Sequence, residues 1–380
     1  RYGRLMQTIS GIHYNFSVPD DLWQRLGIDN QEQKTDAYFS LIRNFRRCSW
    51  LLIYLFGASP AVCRSFLQRP DHGLQEFSEG TFYLPHATSL RMGRLGYQSD
   101  AQSELHISYN SLAEYTTTMR AGLSKSFPGY AHIAVNENGD YQQLNDSVLQ
   151  IENEFYSAIR PKRVTRSGEA PVRALEERGI EYVEVRCLDI NPFTPLGINE
   201  EIIALVDTFL LSCVLLDSPL CDAATRSIDN TNTQRILNFG RDPSLQLLTE
   251  NDRAIPRNEL AKPILDAMQE AAEWLDSATS TTGHSDAMIR ARGMLTGDVE
   301  TPSSRVLREI FEQNISYSEL MGRYAEKWHR EFDAHPIPSE IKTSLADEAI
   351  ASLRRQRDIE SADSVPFDAF LQEFYAQYRR

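Results

Sequence analysis

One stretch near the start of the chain constrains the fold most. Polar and apolar residues alternate over residues 7–18, which predicts a β-strand with one polar and one buried face, because successive side chains of a strand point to opposite sides. The predicted polar side carries Gln7, Ile9, Gly11, His13 and Asn15, and the other carries Ile12, Tyr14, Phe16 and Val18. A histidine, an amide and a glycine on one face indicate a site.

Length and charge narrow the class of protein. A chain of 380 residues with 41% hydrophobic content can bury a large core. Its net charge of -14 argues against a nucleic-acid partner and favours small molecules. The five cysteines are an odd number without a CxxC pair, so we expect neither a disulfide framework nor a zinc site, and a cytoplasmic location fits best. The apolar run over residues 50–67 contains Gly57 and Arg64, which predicts two core helices joined by a turn and no membrane span.

The order of patterns predicts an α+β fold. Short strand-like runs alternate with helical insertions up to residue 197, and amphipathic helical patterns dominate beyond it. We expect one domain, with a catalytic sheet region over residues 1–197 and a mostly helical supporting region over 198–380. Nothing in the last third of the sequence indicates chemistry.

Individual elements follow from turn and capping signals. An Asn-Gly step at 138–139 predicts a hairpin, and alternation predicts strands over 148–156 and 180–188. Asn199 is a predicted N-cap for an apolar helix over 200–216, and Ser316 with Glu319 forms a capping box. Further helices are predicted from 19–23, over 36–56, and over 259–276, 303–313, 317–332, 341–359 and 367–378.

Charged residues suggest where chemistry lies. Glu184 and Arg186 share one face of a predicted strand, either as part of a cation site or as an exposed ion pair. Residues 160–168 place the cations Lys162, Arg163 and Arg166 in a short segment that suits polyphosphate binding, although a solvated loop explains the same run. The chain has no P-loop or dinucleotide-binding glycine spacing in this region.

Four other side chains admit both a functional and a structural interpretation. His13 is either a ligand or a hydrogen-bonded strand residue, and Arg91 is either a carboxylate clamp or a surface arginine. Tyr97 and Tyr156 either line a small pocket or pack in the core. No arrangement of serine or cysteine with histidine indicates covalent catalysis.

Six blocks in order resemble the proteobacterial type of glutamate–cysteine ligase. They cover nearly the whole chain and are densest before residue 195. The blocks are RYG with GIHYNFS at 1–3 and 11–17, YLFGASPA at 54–61, ATSLR at 87–91, LQIENEFY at 149–156, IRPKR at 159–163 and GIEYVEVR at 179–186.

This resemblance implies a glutamine-synthetase-like fold, a curved antiparallel sheet with flanking helices. It implies ATP-dependent joining of the L-glutamate γ-carboxyl to L-cysteine through a γ-glutamyl phosphate, in a cytoplasmic monomer without nucleic-acid or membrane partners. By motif, His13 and Glu184 would bind magnesium, with manganese as the alternative, and Arg186 would stabilise the transferred phosphoryl group. The amino-acid substrates would be contacted by Gln7, Ile9, Asn15 and Arg91, with Tyr97 and Tyr156 closing on cysteine.

The resemblance also implies a preceding amino-terminal segment that supplies acidic metal ligands, so we expect this chain to lack it. Magnesium prefers six oxygen-rich positions, and His13 with Glu184 would fill few of them. Two alternatives to the ligase therefore stay open: a noncatalytic fragment or scaffold that keeps the fold, and a related carboxylate–amine ligase that accepts another amine.

Overall fold

The computed structural model describes residues 8–67, 72–78, 80–93, 95, 100–102 and 105–379. Its strands are β1 Ile12–Phe16, β2 Ala61–Cys63, β3 Gln75–Ser78, β4 Thr81–Tyr83, β5 Asn136–Glu137, β6 Asp140–Tyr141, β7 Ile159–Lys162, β8 Tyr182–Leu188, β9 Gln246–Leu248 and β10 Ala254–Pro256. Its helices are α1 Asp20–Arg25, α2 Gln31–Cys48, α3 Trp50–Phe56, α4 Leu112–Ser124, α5 Pro171–Arg178, α6 Glu200–Leu215, α7 Ala223–Phe239, α8 Arg257–Thr279, α9 Gly283–Thr296, α10 Pro302–Gln313, α11 Tyr317–Ala334, α12 Ser339–Ala362 and α13 Phe367–Ala376.

The sheet that carries the predicted polar residues has the order β1-β8-β7, and both pairings are antiparallel. Glu184 of β8 stands in register with Asn15 on one side and with Arg160 on the other. The β1–β8 register shifts between Ile12 and Tyr14, so His13 lies at an irregularity of the kind that re-aims a side chain. The strand predicted over 180–188 is therefore confirmed, and the one predicted over 7–18 is confirmed for Ile12–Phe16, while residues 8–11 form no strand. The two strands are neighbours.

Helices cover the apolar face of this sheet. Val183, Val185 and Cys187 of β8 are buried and belong to the main core. Helix α2 packs on β7 and on α6, and α3 packs on β8. The rings of Phe45 and Phe209 meet between α2 and α6 at 5.8 Å with an edge-on angle of 78°. Burial of these apolar side chains supplies most of the driving force that holds the helices on the sheet.

Capping signals in the sequence mark several helix starts. Asn199 accepts a hydrogen bond from the backbone N–H of Ile202 at the start of α6, and Ser316 accepts one from Glu319 at the start of α11. In the predicted hairpin, Asn138 and Gly139 both have positive φ, the backbone that a tight two-residue turn requires. The Asn199 cap and the hairpin are confirmed, although β5 and β6 are only two residues long each. Of the capping box, the structure shows the bond to the Ser316 side chain, while the Glu319 carboxylate pairs with Arg323.

Three predicted elements are wrong. The single helix over 36–56 is two helices, α2 and α3, which meet at Ser49. Residues 148–156 form no strand, because the side chains of Gln150 and Glu154 bond to nearby backbone N–H groups in place of a ladder, and Glu152–Glu154 is a 3-10 turn. The second half of the apolar run over 50–67 forms β2 and a 3-10 turn, where a helix was expected.

Four helices lie outside the predicted set: α4, α5, α7 and α9. Helix α7 is rich in Thr and Asn, which are weak helix formers, and α9 contains Gly293 in its interior. Tertiary packing overrides these propensities, since α9 packs on α6 and α8 and α7 packs on α3. No helix among the described residues has the length and apolar content needed to cross a bilayer.

Candidate functional site

Glu184 is the centre of a charged cluster on the polar face of the sheet. Its carboxylate lies 2.9 Å from Arg186 Nη1, 3.3 Å from Lys162 Nζ and 3.4 Å from His13 Nδ1. The Glu184 side chain is only 12% exposed, whereas that of His13 is 46% exposed. Three strands thus bring together three residues that the sequence placed on polar faces and Lys162, which it placed in the cationic segment over 160–168.

The charged groups of this cluster shift one another's pKa values. Burial acts to raise the pKa of Glu184, but the hydrogen bond from Arg186 and the charge of Lys162 outweigh it and hold that pKa below its ordinary value. Burial, and next the positive charge of Arg186, lower the pKa of His13, while Glu184 acts in the opposite direction. Near neutral pH the cluster therefore holds an ionised carboxylate and a neutral imidazole with a lone pair to share.

Arg91 is fixed beside this face by a buried carboxylate. Its Nε donates to Asp189 Oδ1 at 2.7 Å, and its Nη2 donates to the carbonyls of Leu188 at 2.9 Å and Arg186 at 3.2 Å. Asp189 is 5% exposed and directly follows β8. The guanidinium is therefore held at the end of the strand that carries Glu184.

Asp189 also ties down two other segments. Its Oδ2 accepts from the backbone N–H of Ala58 at 2.8 Å and from Ser59 Oγ at 2.7 Å, and its Oδ1 accepts from Ser89 Oγ at 3.0 Å. Asp189 is not among the residues that the sequence pattern predicts. The one local signal for Asp189 is its position at the end of the strand that carries Glu184 and Arg186. Its partners lie about 100 residues or more away, in the YLFGASPA and ATSLR blocks.

Gly11 explains why Arg91 can reach the sheet. A Cβ at residue 11 would stand 2.5 Å from Arg91 Nη1 and 2.6 Å from its Cζ, closer than real atoms approach. The glycine of the opening stretch therefore leaves room for the guanidinium. The start of the chain and the ATSLR block are in contact through this pair.

The three predicted phosphate-binding cations have different surroundings. Lys162 reaches Glu184, and with Arg163 it lines a cavity of about 330 Å³ between β7 and α5. The Arg163 guanidinium donates to the carbonyls of Gly179 and Arg178 at the end of α5. Arg166 is exposed and is not among the lining residues. The other lining residues include Tyr115, Glu152, Asn153, Arg160, Thr165, Val172 and Tyr182.

The other residues predicted to contact the substrates are Asn15, Ile9, Tyr156, Gln7 and Tyr97. Asn15 is exposed on the strand beside Glu184, and Ile9 is half-buried before β1. Tyr156 is half-buried, and its backbone N–H donates to Gln102 Oε1 at 3.0 Å. Gln7 and Tyr97 lie outside the described residues. The roles predicted for these residues stay predictions.

The donor set near Glu184 fits part of a divalent-cation site. Among the described residues, no group of three or more His, Cys, Asp or Glu side chains lies close enough to hold a metal. Glu184 and His13 supply one carboxylate and one imidazole. Magnesium at nucleotide sites is commonly held by one or two carboxylates together with phosphates and water, so this pair fits as part of such a site.

Comparisons with known proteins agree with the fold and show the family. Residues 1–236 match the family model described as glutamate-cysteine ligase. A glutamate–cysteine ligase from Saccharophagus degradans is 41% identical, covering 100% of this chain and 73% of that protein, and one from Pseudomonas paraeruginosa is 42% identical, covering 99% and 72%. A crystal structure of glutamate–cysteine ligase from Francisella tularensis in complex with AMP matches with a TM-score of 0.92 and 32% identity, covering 100% of this chain and 75% of that one.

The structure is therefore an α+β protein with an antiparallel sheet flanked by helices, as the sequence predicted. A bifunctional glutathione synthetase from Pasteurella multocida shares the fold at a TM-score of 0.64, with 22% identity over 87% of this chain and 38% of that one. The chain belongs to the glutamate–cysteine ligase family.

Replacing Asp189 by asparagine tests the buried network. We expect Asp189→Asn to lower the free energy of unfolding by about 3 kcal/mol, because the buried Arg91 guanidinium loses its counter-charge. Chemical denaturation measures the change. The control is Asp20→Asn, whose carboxylate is 84% exposed in its pair with Lys34 and should contribute less than about 1 kcal/mol. Equal effects of the two substitutions would contradict the assignment.

Proposed function

We propose that this chain joins the γ-carboxyl of L-glutamate to the amine of L-cysteine at the expense of ATP, the first step of glutathione synthesis. The identity of 41–42% to relatives named glutamate–cysteine ligase, over 99–100% of the chain, supports the reaction. The observation that carries it is the cluster of Glu184, Arg186, Lys162 and His13 next to a cavity. That arrangement suits the transfer of a phosphoryl group.

The chemistry runs in two steps. A γ-carboxylate oxygen of glutamate bonds to the γ-phosphorus of ATP, and ADP leaves with the electrons of the broken P–O bond. The cysteine amine then bonds to the acyl carbon, phosphate leaves, and the amine gives up a proton. Charge develops on the phosphoryl oxygens in the first step, where preorganised cations stabilise it most. Lys162 supplies one such cation from the lining of the cavity, and Arg186 supplies another from the far side of the shared Glu184 carboxylate.

Divalent metal binding is assigned to the same cluster. Glu184, held ionised, and His13, held neutral, would be the chain's ligands to magnesium or manganese. A bound divalent ion would offset the negative charge of the triphosphate and orient its oxygens. Arg186 and Lys162 share the Glu184 carboxylate, which keeps that carboxylate in place before a metal binds.

ATP is assigned to the cavity between β7 and α5. Lys162 and Arg163 line it, and Arg166 lies on the loop that leaves it, so all three predicted cations are proposed as phosphate contacts. The similar structure from Francisella tularensis was determined with AMP, which supports a nucleotide in this fold.

The amino-acid substrates are assigned to the opposite side of Glu184. Arg91 would clamp a carboxylate of glutamate, with Ile9 and Asn15 beside it, and Tyr156 would contact cysteine. Gln7 and Tyr97 are proposed for the same two substrates from the resemblance alone. We further propose a cytoplasmic monomer, with the catalytic sheet region and the helical region divided at residues 197 and 198.

A direct assay tests the reaction. The chain and a full-length family relative are mixed with L-glutamate, L-cysteine, ATP and magnesium, and ADP and γ-glutamylcysteine are measured. We expect ADP release that requires cysteine. The relative serves as a positive control, and other amines in place of cysteine test the wider carboxylate–amine ligase. Product formed equally well with another amine, or no cysteine-dependent ADP, would contradict the proposal.

Replacing Glu184 tests the metal assignment. We expect Glu184→Gln to raise the magnesium concentration for half-maximal activity by at least ~10-fold, because a neutral amide is a poor ligand for a hard cation. A magnesium titration of the initial rate measures it. Glu137→Gln, in the exposed tip of the hairpin, is the matched control. An unchanged magnesium dependence would remove Glu184 from the metal site.

Replacing Arg91 separates glutamate binding from ATP binding. We expect Arg91→Lys, which keeps the positive charge near Asp189 but loses the planar fork, to raise the KM for glutamate by about 10-fold, with a smaller effect on ATP. Arg91→Ala should raise the KM for glutamate further, and again more than the KM for ATP. Initial rates with each substrate varied in turn provide the values. Equal changes in both KM values would argue against a clamp.

A further inference from the structure

The end of the chain lies against the loop that joins β7 to α5. After α13, the side-chain amide of Gln377 accepts a hydrogen bond from the backbone N–H of Ala170 and donates one to the carbonyl of Gly168, both at 2.9 Å. Arg120 Nη1 donates to the carbonyl of Gln377 at 2.8 Å. An amide presents a donor and an acceptor together, so Gln377 pairs with this loop much as another peptide unit would.

The next residue holds a buried carboxylate. The Tyr378 hydroxyl donates to Glu152 Oε2 at 2.5 Å, and Glu152 Oε1 accepts from the backbone N–H of Val172 at 2.8 Å. Glu152 is 7% exposed. Burial raises the pKa of Glu152, and the hydrogen bond from Tyr378 acts against that rise. The tyrosine thus satisfies one oxygen of a carboxylate whose other oxygen caps the first turn of α5.

The contacts of Gln377 and Tyr378 are with residues and a loop that form the wall of the proposed nucleotide cavity. Glu152 and Val172 line it, and the loop held by Gln377 runs between the lining residues Thr165 and Pro171. Neither Gln377 nor Tyr378 is itself among the lining residues. They are positioned to act on the cavity only through the residues that they hold.

We propose that Gln377 and Tyr378 are positioning residues for the nucleotide, which fix the α5 wall and the β7–α5 loop in the shape that binds ATP. This inference rests on the proposed placement of ATP between β7 and α5. It gives the segment after α13 a part in nucleotide binding, although that segment lies beyond the stretch that matches the family model.

Steady-state kinetics of the full chain test the inference. We expect Tyr378→Phe and Gln377→Ala each to raise the KM for ATP by about fivefold or more, the scale of one buried hydrogen bond, with the KM values for glutamate and cysteine changed less than twofold. Binding of AMP, measured by calorimetry, should weaken by a similar factor. Gln372→Ala, at an exposed glutamine of the preceding helix α13, is the matched control and should leave all values unchanged.

A double substitution shows whether Tyr378 acts through Glu152. In a Glu152→Gln background, Tyr378→Phe should cause no further rise in the KM for ATP, because the carboxylate that the hydroxyl holds is already gone. Thermal midpoints of all variants establish that they are folded. A merely structural role would raise the three KM values together or lower only the midpoint, and either result would overturn the inference.

The variant Lys162→Ala separates a failure of the positioning role from a failure of the proposed placement of ATP. If Lys162→Ala leaves the KM for ATP unchanged, ATP does not occupy the cavity, and both the placement and the inference fail. If Lys162→Ala raises that KM while Tyr378→Phe and Gln377→Ala do not, the inference alone is overturned. If all three raise it, the positioning role is supported.

Discussion

The buried carboxylate of Asp189 is the interaction on which the geometry of the site depends. It accepts hydrogen bonds from Ala58, Ser59, Ser89 and Arg91, which come from two separate segments, while it belongs to the end of β8. A charge buried this deeply is tolerated only when donors surround it, so the segments must close on it together. Their closure sets Arg91 at a fixed position relative to the polar face of β8, and Gly11 leaves the space that this position needs.

The charge balance around Glu184 follows from that sheet. One carboxylate faces Arg186 and Lys162, with a neutral His13 nearby, so this part of the face carries excess positive charge within a chain whose net charge is -14. An acidic protein repels polyphosphate at long range, and a local surplus of cations reverses that effect where the strands converge. Register therefore matters as much as residue type: Lys162 reaches Glu184 only because β7 and β8 pair side by side.

Sequence patterns over a few residues predicted the strands and helix starts that depend on neighbouring residues alone. The strands β1 and β8 alternate because each has one buried face, and Asn199 and Ser316 cap their helices within three residues. The same alternation over residues 148–156 was misleading, since Gln150 and Glu154 bond to nearby backbone instead of facing a neighbouring strand. The family and the residues around Glu184 came from ordered motifs, whereas Asp189 depends on partners about 100 residues or more away, which no local pattern reveals.

In the last third of the chain, the amphipathic pattern predicted the helices but not their polar contacts with distant residues. Amphipathic helices predicted a supporting layer there, and most of that layer is far from the charged face in sequence. Yet Tyr378 and Gln377 make polar contacts 226 and 209 residues back along the chain, to Glu152 and to Gly168. A supporting layer needs only apolar contact, whereas a hydroxyl aimed at a buried carboxylate and an amide paired with a loop are specific in direction. Directional contacts of this kind transmit small displacements to the groups they hold, so the segment after α13 is coupled to the cavity wall through Glu152 and the β7–α5 loop.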